Sequence, residues 1–482
     1  MNSIHQSPLV HTQNFIGGQW QSSKSDQKIE VRNPADQSLL AEIECISSKD
    51  YESIIVYAQA AFDQWKISSA PDRSKLLTAL HQKILQHQNE LAHIITLEQG
   101  KSIAQSLGEI RYAADFCLWY AEEAKRIYGD VIDGPSYQEK FLVLRAPVGI
   151  CAAITPWNFP LAMITRKLAP AIAAGCSMII KPSEETPLTA LALGEILSQI
   201  AMPKGLVQII NGNPQDIGEF FCSHPAISKL TFTGSTEVGK LLMKQCASSV
   251  KNISLELGGN APFIVFEDAD LDRAVEGAMS SKFRNTGQTC ICSNRFLIHK
   301  NILDAFVEKM KRKMKDLRVG KGIEGDHDIC PLINASAMNK IQNLVREAVD
   351  QGAQVLMGAE PSSQSQTYVP TMLKNIQPNM NIFKQEIFGP VVAITSFETE
   401  AQAIALANQT HYGLAAYFYT ENFSRSFRVA QALEYGMIGV NKVAVSYTAA
   451  PFGGVKQSGL GREGSKFGLD EYVEKKSVAL AI

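Results

Sequence analysis

The chain carries almost no net charge: 46 Lys and Arg against 48 Asp and Glu leave −2 over 482 residues. No global field therefore draws it to nucleic acid or to an anionic membrane. Cysteine is sparse, and the nine present are an odd number scattered along the chain. That pattern excludes a secreted disulfide framework and points to a reducing compartment. Long hydrophobic runs are missing as well. The most apolar stretch, Val148 to Ile154, is stopped by Pro156, far short of the roughly 20 residues a membrane helix needs. The first twenty residues hold no Lys or Arg and no apolar core before a small-residue cleavage site; a cytoplasmic protein is the expectation. The histidines do not gather for a metal. His81, His87 and His93 recur every six residues, a spacing that turns successive rings to different helix faces, so solvated rings and no metal are expected. There is no internal repeat or low-complexity tract, and the Ser- and Gln-rich Pro361 to Gln366 reads as a surface loop.

What is present is an ordinary globular composition, 45% hydrophobic and 20% charged, in a chain long enough for about three compact units. Between Val148 and Leu257 strand-like runs (Val148 to Ile154, Cys176 to Lys181, Leu206 to Ile210, Lys229 to Thr233) alternate with helical ones (Leu161 to Ala174 before Gly175, a helix opened by Pro187, Glu237 to Cys246). Such alternation predicts a parallel, helix-covered sheet that binds ligands beyond its strand C-termini. A second α/β unit follows Gly259, with strands at Pro262 to Phe266 and near Phe296 to Ile298, and helices from Asp270 and over Ile302 to Leu317. Helices over Tyr51 to Trp65 and along Ala70 to Tyr128 precede both units. A linker at Gly129 to Gly134 leads to a short apolar strand, Phe141 to Leu144.

Cys290 is the strongest candidate for chemistry. It ends Phe283-Arg284-Asn285-Thr286-Gly287-Gln288-Thr289-Cys290, about thirty positions after Glu256-Leu257-Gly258-Gly259. A thiol is nucleophilic near neutrality once exposed and modestly lowered in pKa. Glu256 reads either as a strand-end carboxylate or, with two glycines leaving it uncovered, as a general base. Two nucleotide motifs are decoys. Gly459 to Gly464 fits GxGxxG without a preceding strand, and Gly234 to Lys240 resembles a P-loop whose next residue, Leu241, has no hydroxyl for magnesium. The latter still offers a strand, a glycine turn and a helix N-terminus, which suits a diphosphate.

These segments resemble the aldehyde dehydrogenase superfamily, whose motifs read FRNxGQxC and LELGG. Thr155-Pro156-Trp157-Asn158-Phe159-Pro160, Lys181-Pro182-Ser183-Glu184, Phe232-Thr233-Gly234-Ser235, Glu386-Ile387-Phe388-Gly389-Pro390 and Pro451-Phe452-Gly453-Gly454 extend the likeness in the family's order. Within the superfamily the likeness is to the succinate-semialdehyde dehydrogenase branch. The resemblance implies an α/β fold: a Rossmann-type NAD-binding domain (1–126 and 147–258), a second α/β catalytic domain (259–465) and a small β oligomerisation arm (127–146 and 466–482) serving a homodimer or homotetramer. It also implies Cys290 as nucleophile, Glu256 as base and Asn158 as oxyanion donor, although Asn158 alone reads as a helix cap.

For the cofactor the resemblance implies Thr155, Trp157, Asn158, Lys181, Ser183, Glu184, Gly234, Ser235, Leu257, Glu386 and Phe388. A surface salt bridge is the other reading of Lys181 and Glu184. A carboxylate at position 184 repels a 2′-phosphate, so NAD is expected over NADP, with NADP still possible. Arg166, Arg284 and Ser446 match the branch's grip on a distal carboxylate; solvated helix positions are the alternative for the arginines. Lys442-Val443-Ala444 departs from the Gly-containing loop expected beside Ser446, which leaves glutarate semialdehyde or a broader aldehyde range open. A cysteine hydrolase is the alternative class. Cys292, whose Cα in extended chain lies roughly 6.6 Å from that of Cys290, is a candidate partner for a reversible oxidative switch.

Overall fold

The computed structural model describes residues 4, 7–359 and 366–481. Apart from Gln366, the Pro361 to Gln366 loop lies outside the described residues. The first sheet is built on five parallel strands: β1 (Ile150–Ile154), β2 (Ser177–Lys181), β3 (Val207–Ile209), β4 (Ile227–Thr233) and β5 (Asn252–Glu256). Their order is β5-β4-β1-β2-β3. The chain direction across the sheet therefore reverses between β1 and β4, the position at which a doubly wound sheet opens a crevice beyond its strand C-termini.

The connections are α1 (Ala162–Ala174), α2 (Pro187–Ser198), α3 (Pro214–Ser223) and α4 (Thr236–Cys246). Each starts or stops where the sequence offers a cap. Ser235 accepts from Val238 N–H at 3.3 Å, Asn213 accepts from Gln215 N–H at 2.8 Å, and Gly175 ends α1 in the left-handed conformation with φ 100°. Every residue of α1 is buried, as in a helix enclosed on all sides.

Both edges of this sheet are closed by antiparallel additions. An N-terminal hairpin, Asn14–Ile16 with Gln19–Gln21, pairs with β3 through Phe15 and Ile209. On the far side Gly459–Leu460 pairs with β5, Gly459 lying opposite Glu256. The GxGxxG run is thus an edge strand rather than a phosphate loop. A Cβ on Gly459, at φ 143°, would lie 1.9 Å from the Leu255 carbonyl oxygen.

The second sheet has seven strands, in the order Gln354–Met357, Thr371–Lys374, Val391–Phe397, Ser293–His299, Ala261–Val265, Ala415–Tyr419, Met437–Val440, parallel except at the first. A third sheet joins Asp130–Asp133, Glu139–Pro147 and Val473–Ala481. The Gly129 to Gly134 linker is therefore partly strand, and the expected Phe141 to Leu144 strand grows to nine residues because the C-terminal segment pairs along all of it. The helical stretch from Ala70 breaks into Ala70–Gln86, Gln88–Gln99 and Ile103–Glu123, with Gly100 at φ 95° stopping the second. His81, His87 and His93 are half-buried, not solvated, and His81 Nδ1 lies 3.0 Å from the Ala114 carbonyl. Among the described residues no His, Cys, Asp or Glu cluster could hold a metal, and no helix is long and apolar enough to cross a membrane.

The edge strand predicts a stability effect. Gly459→Ala is expected to cost about 1–3 kcal/mol, because its backbone conformation and the Leu255 carbonyl both exclude a methyl group. Denaturant unfolding of the purified variant measures it, and an unchanged midpoint would contradict the pairing.

Candidate active site

A cleft of about 320 Å³ opens beyond the C-terminal ends of β1, β4 and β5, between the first and second sheets. It gathers Cys290, Glu256 and Asn158 with Trp157, Gly234, Ser235, Leu257, Glu386 and Phe388, and also Arg166, Arg284 and Ser446. Residues more than a hundred positions apart in sequence thus share one cavity. Thr155, Lys181, Ser183 and Glu184 lie outside its lining, at or just past the ends of β1 and β2. There Lys181 is buried and ion-paired with the half-exposed Glu184. Burial pushes the Lys181 ammonium pKa down, against the pull of Glu184.

The turn before Cys290 is held in a costly conformation. Asn285 and Thr286 both have positive φ (50° and 56°), rare for a β-branched residue. Thr286 is anchored on both sides, its hydroxyl donating to the Cys330 carbonyl at 3.1 Å and accepting from Cys330 N–H at 2.9 Å. Asn285 Nδ2 donates to the carbonyls of Asn158 and Gln288 at 3.1 and 3.2 Å.

The Asn158 turn is supported from below. Lys101 Nζ donates to the Asn158 carbonyl and to Glu109, each at 2.7 Å, and Glu109 accepts Leu161 N–H at 2.9 Å and Ala162 N–H at 3.2 Å. Glu109 therefore caps α1, and the helix-cap reading of Asn158 falls. The Asn158 amide donates to the Gln288 carbonyl at 3.1 Å, leaving its second N–H available.

Glu256 ends β5, is 4% exposed and has no hydrogen-bond partner for either carboxylate oxygen among the described residues. A surface role is excluded. Burial pushes its pKa well up, with Glu463 adding repulsion and Arg166 and Lys167 opposing. The Leu257-Gly258 turn is fixed by Ser458, whose carbonyl accepts Leu257 N–H at 2.9 Å and whose hydroxyl donates to the Gly258 carbonyl at 2.7 Å.

Cys290 is half-buried and the other eight cysteines are buried. Contrary to the expectation of a lowered pKa, burial pushes the Cys290 thiol up to about 12, with Glu386 and Glu256 adding to it and Arg166 opposing. Its resting form is the thiol. Cys292 turns away, its thiol donating toward the Lys282 and Ser293 carbonyls at 3.7 and 3.5 Å. A bridge to Cys290 would require it to leave both.

Arg166 is 2% exposed, which overturns the solvated-helix reading. Its Nε meets Glu463 at 2.5 Å, Phe452 lies 4.0 Å from the guanidinium, and Nη2 is buried without a partner. Arg284 is exposed, its guanidinium 5.0 Å from the Phe159 ring centre. Glu386 accepts Gly259 N–H at 3.0 Å, and burial pushes its pKa up to about 7. Trp157 and Phe388 meet edge to face at 5.5 Å, one from each side of the cleft.

Sequence reasoning missed Lys101, Glu109, Tyr112, Lys340 and Glu463. The first three sit on long helices or at a helix break without a local motif, and Glu463 was hidden in the rejected glycine run.

A doubly wound sheet with a capped helix N-terminus at its switch point, facing a thiol, a buried carboxylate and an amide across one cleft, is the arrangement of a dinucleotide-dependent enzyme. The chain belongs to the Aldehyde dehydrogenase family, which it matches over residues 20–478, and it is an NAD(P)-dependent aldehyde dehydrogenase. It is 48% identical over 478 residues to a mitochondrial succinate-semialdehyde dehydrogenase of Arabidopsis thaliana, covering 99% of this chain and 90% of that one. It is 45% identical over 473 residues to a glutarate-semialdehyde dehydrogenase of Pseudomonas aeruginosa, covering 98% of both. A crystal structure of an E. coli NADP-dependent enzyme superposes with a TM-score of 0.97 at 45% identity, covering 98% of this chain and 99% of that one. The cysteine hydrolase alternative is thereby set aside.

The raised thiol makes a direct prediction. Iodoacetamide labelling of Cys290 in the free protein should accelerate roughly tenfold per pH unit from pH 7 to 10, because only thiolate reacts. A plateau already reached at pH 8 would contradict the burial effect.

Proposed function

We propose that the chain oxidises a short semialdehyde carboxylate, succinate semialdehyde to succinate first, with NAD preferred over NADP. The observation that carries the substrate class is Arg166, a buried guanidinium on the cleft wall with Nη2 unpartnered, in the form that suits a planar carboxylate. Arg284, exposed and lining the same cleft, would add a second cation. Glutarate semialdehyde is the second reading, favoured by the name of the P. aeruginosa relative and by the Lys442-Val443-Ala444 departure. NAD preference rests on Glu184, whose carboxylate just past the end of β2 suits free ribose hydroxyls and repels a 2′-phosphate; the similar E. coli enzyme is NADP-dependent.

The residues of the first sheet (1–126 and 147–258) would hold the dinucleotide, with the α4 N-terminus beneath its diphosphate and Glu386 and Phe388 facing it from the second unit (259–465). When bound, its nicotinamide accepts the hydride released by the substrate carbon. The Cys290 thiol proton passes to solvent, and the thiolate attacks the aldehyde carbon. The Cys290 backbone N–H and the free Asn158 amide proton stabilise the resulting oxyanion. After oxidation the sulfur holds a thioester. Glu256 then takes a proton from water, hydroxide attacks the acyl carbon, and the carboxylate leaves as Cys290 is regenerated. Because the Glu256 pKa is raised, this base is ionised in a growing fraction as pH rises, so hydrolysis is expected to quicken toward alkaline pH. Segments 127–146 and 466–482 form the proposed arm of a homodimer or homotetramer, supported by the exposed apolar Val131 and Ile132 on its outer strand. A cytoplasmic location rests on the sequence alone; the A. thaliana relative is mitochondrial by name.

Succinate semialdehyde, glutarate semialdehyde and butanal compared with each nucleotide test this reading by the growth of reduced nicotinamide absorbance. The expected ranking puts the semialdehydes and NAD first, and Arg166→Gln should raise the semialdehyde KM at least tenfold. Equal kcat/KM for NADP would remove the assignment of Glu184. In Glu256→Gln the steady-state rate should fall by about 100-fold or more while a stoichiometric burst of reduced nucleotide survives; an unaltered steady state would take Glu256 out of the hydrolytic step.

A further inference from the structure

We propose that Tyr112 is a specificity-determining residue: with Ser446 it presents one hydroxyl donor beside Arg166, completing a subsite for the distal anionic group of the aldehyde. The Tyr112 and Ser446 hydroxyl oxygens lie 2.5 Å apart, joining residues 334 positions apart in sequence. Tyr112 comes from the helix Ile103–Glu123 and Ser446 from the loop after Met437–Val440, and both line the cleft together with Arg166. Two hydroxyls in contact carry two protons, and their mutual bond uses one. Whichever oxygen donates, the other keeps an O–H free for a ligand.

The neighbouring cation has the same unmet demand, for Arg166 Nη2 is buried and unpartnered. Its position is restricted: Phe452 and Phe116 lie 4.0 and 5.6 Å from the guanidinium, and Glu463 holds Nε. The Tyr112 ring is itself set edge-on against Phe116 at 4.9 Å, so its hydroxyl is aimed before any ligand arrives. A terminal carboxylate has two oxygens and about four acceptor positions, enough to take the guanidinium and the hydroxyl at once. A terminal methyl group offers none, and leaves both donors unsatisfied in a cavity walled by aromatic rings. Sites built this way reject the analogue that lacks the polar group far more strongly than they reject a change in length. The Tyr112 to Ser446 pair therefore selects for charge at the far end of the substrate, while chain length is left to the cavity walls.

This inference rests on the semialdehyde reading above, and the ratio of kcat/KM for succinate semialdehyde to that for butanal tests the two separately. In Tyr112→Phe the ratio is expected to fall about tenfold, mostly through the semialdehyde KM. Ser446→Ala should do the same, and the double variant, which keeps neither O–H, should fall further than the worse single one, because each single variant still leaves one hydroxyl in place. A ratio unchanged in Tyr112→Phe, with both substrates equally slowed, would reduce Tyr112 to a structural strut and overturn the proposal. So would a double variant that falls no further than the worse single one. If the unaltered enzyme itself fails to prefer the semialdehyde over butanal, the substrate reading fails first and the subsite falls with it.

Discussion

Glu463 sits between Arg166 and Lys167, and all three are buried. Taking ions out of water costs several kcal/mol each unless they are paired closely, so this cluster has few alternative arrangements. Burial opposes ionisation of Glu463, yet the two cations hold its carboxyl below the ordinary range. The cluster ties the innermost helix of the first unit to the C-terminal run that also supplies the edge strand beside Glu256. The wall of the cleft and the position of Glu256 thus depend on one ion cluster whose members come from distant parts of the chain.

The same low-polarity environment sets the electrostatics of the cleft. Cys290, Glu256 and Glu386 are all pushed toward their neutral forms, mainly by burial, with Glu386 and Glu256 adding to the effect on Cys290 and Glu463 to that on Glu256. Arg166 is the cation that most directly offsets this, acting on both Cys290 and Glu256. A cavity that suppresses anions of its own but retains a guanidinium is suited to receive an anion from outside. The guanidinium proposed to favour a carboxylate substrate therefore also moderates Cys290 and Glu256.

Local patterns made much of the first unit legible. The alternation of strand and helix from Val148 to Leu257 gave boundaries within a few residues, because caps such as Ser235 and Gly175 act locally. After residue 330 the second sheet was not read: Thr371–Lys374, Val391–Phe397 and Ala415–Tyr419 are short, and their identity as strands comes from pairing, Val391–Phe397 with Ser293–His299 and with Thr371–Lys374, and Ala415–Tyr419 with Ala261–Val265. The break at Gly100 is a local glycine stop that went unread, whereas the strand inside the Gly129 to Gly134 linker was missed because it is decided by its pairing with Glu139–Pro147.

For the site, sequence by itself picked out the candidates for the chemistry: Cys290, Glu256 and Asn158 stand in motifs whose glycines and prolines shape their own turns. Tertiary structure alone decided their states and their company. The thiol is protonated at rest because the fold buries it among carboxylates. Asn158 is free of capping because Glu109, from another helix, takes that role. Tyr112 reaches Ser446 only because the two units close on one cavity. Turn conformation depends on neighbours in the chain, whereas burial, ion pairing and the meeting of remote hydroxyls depend on neighbours in space.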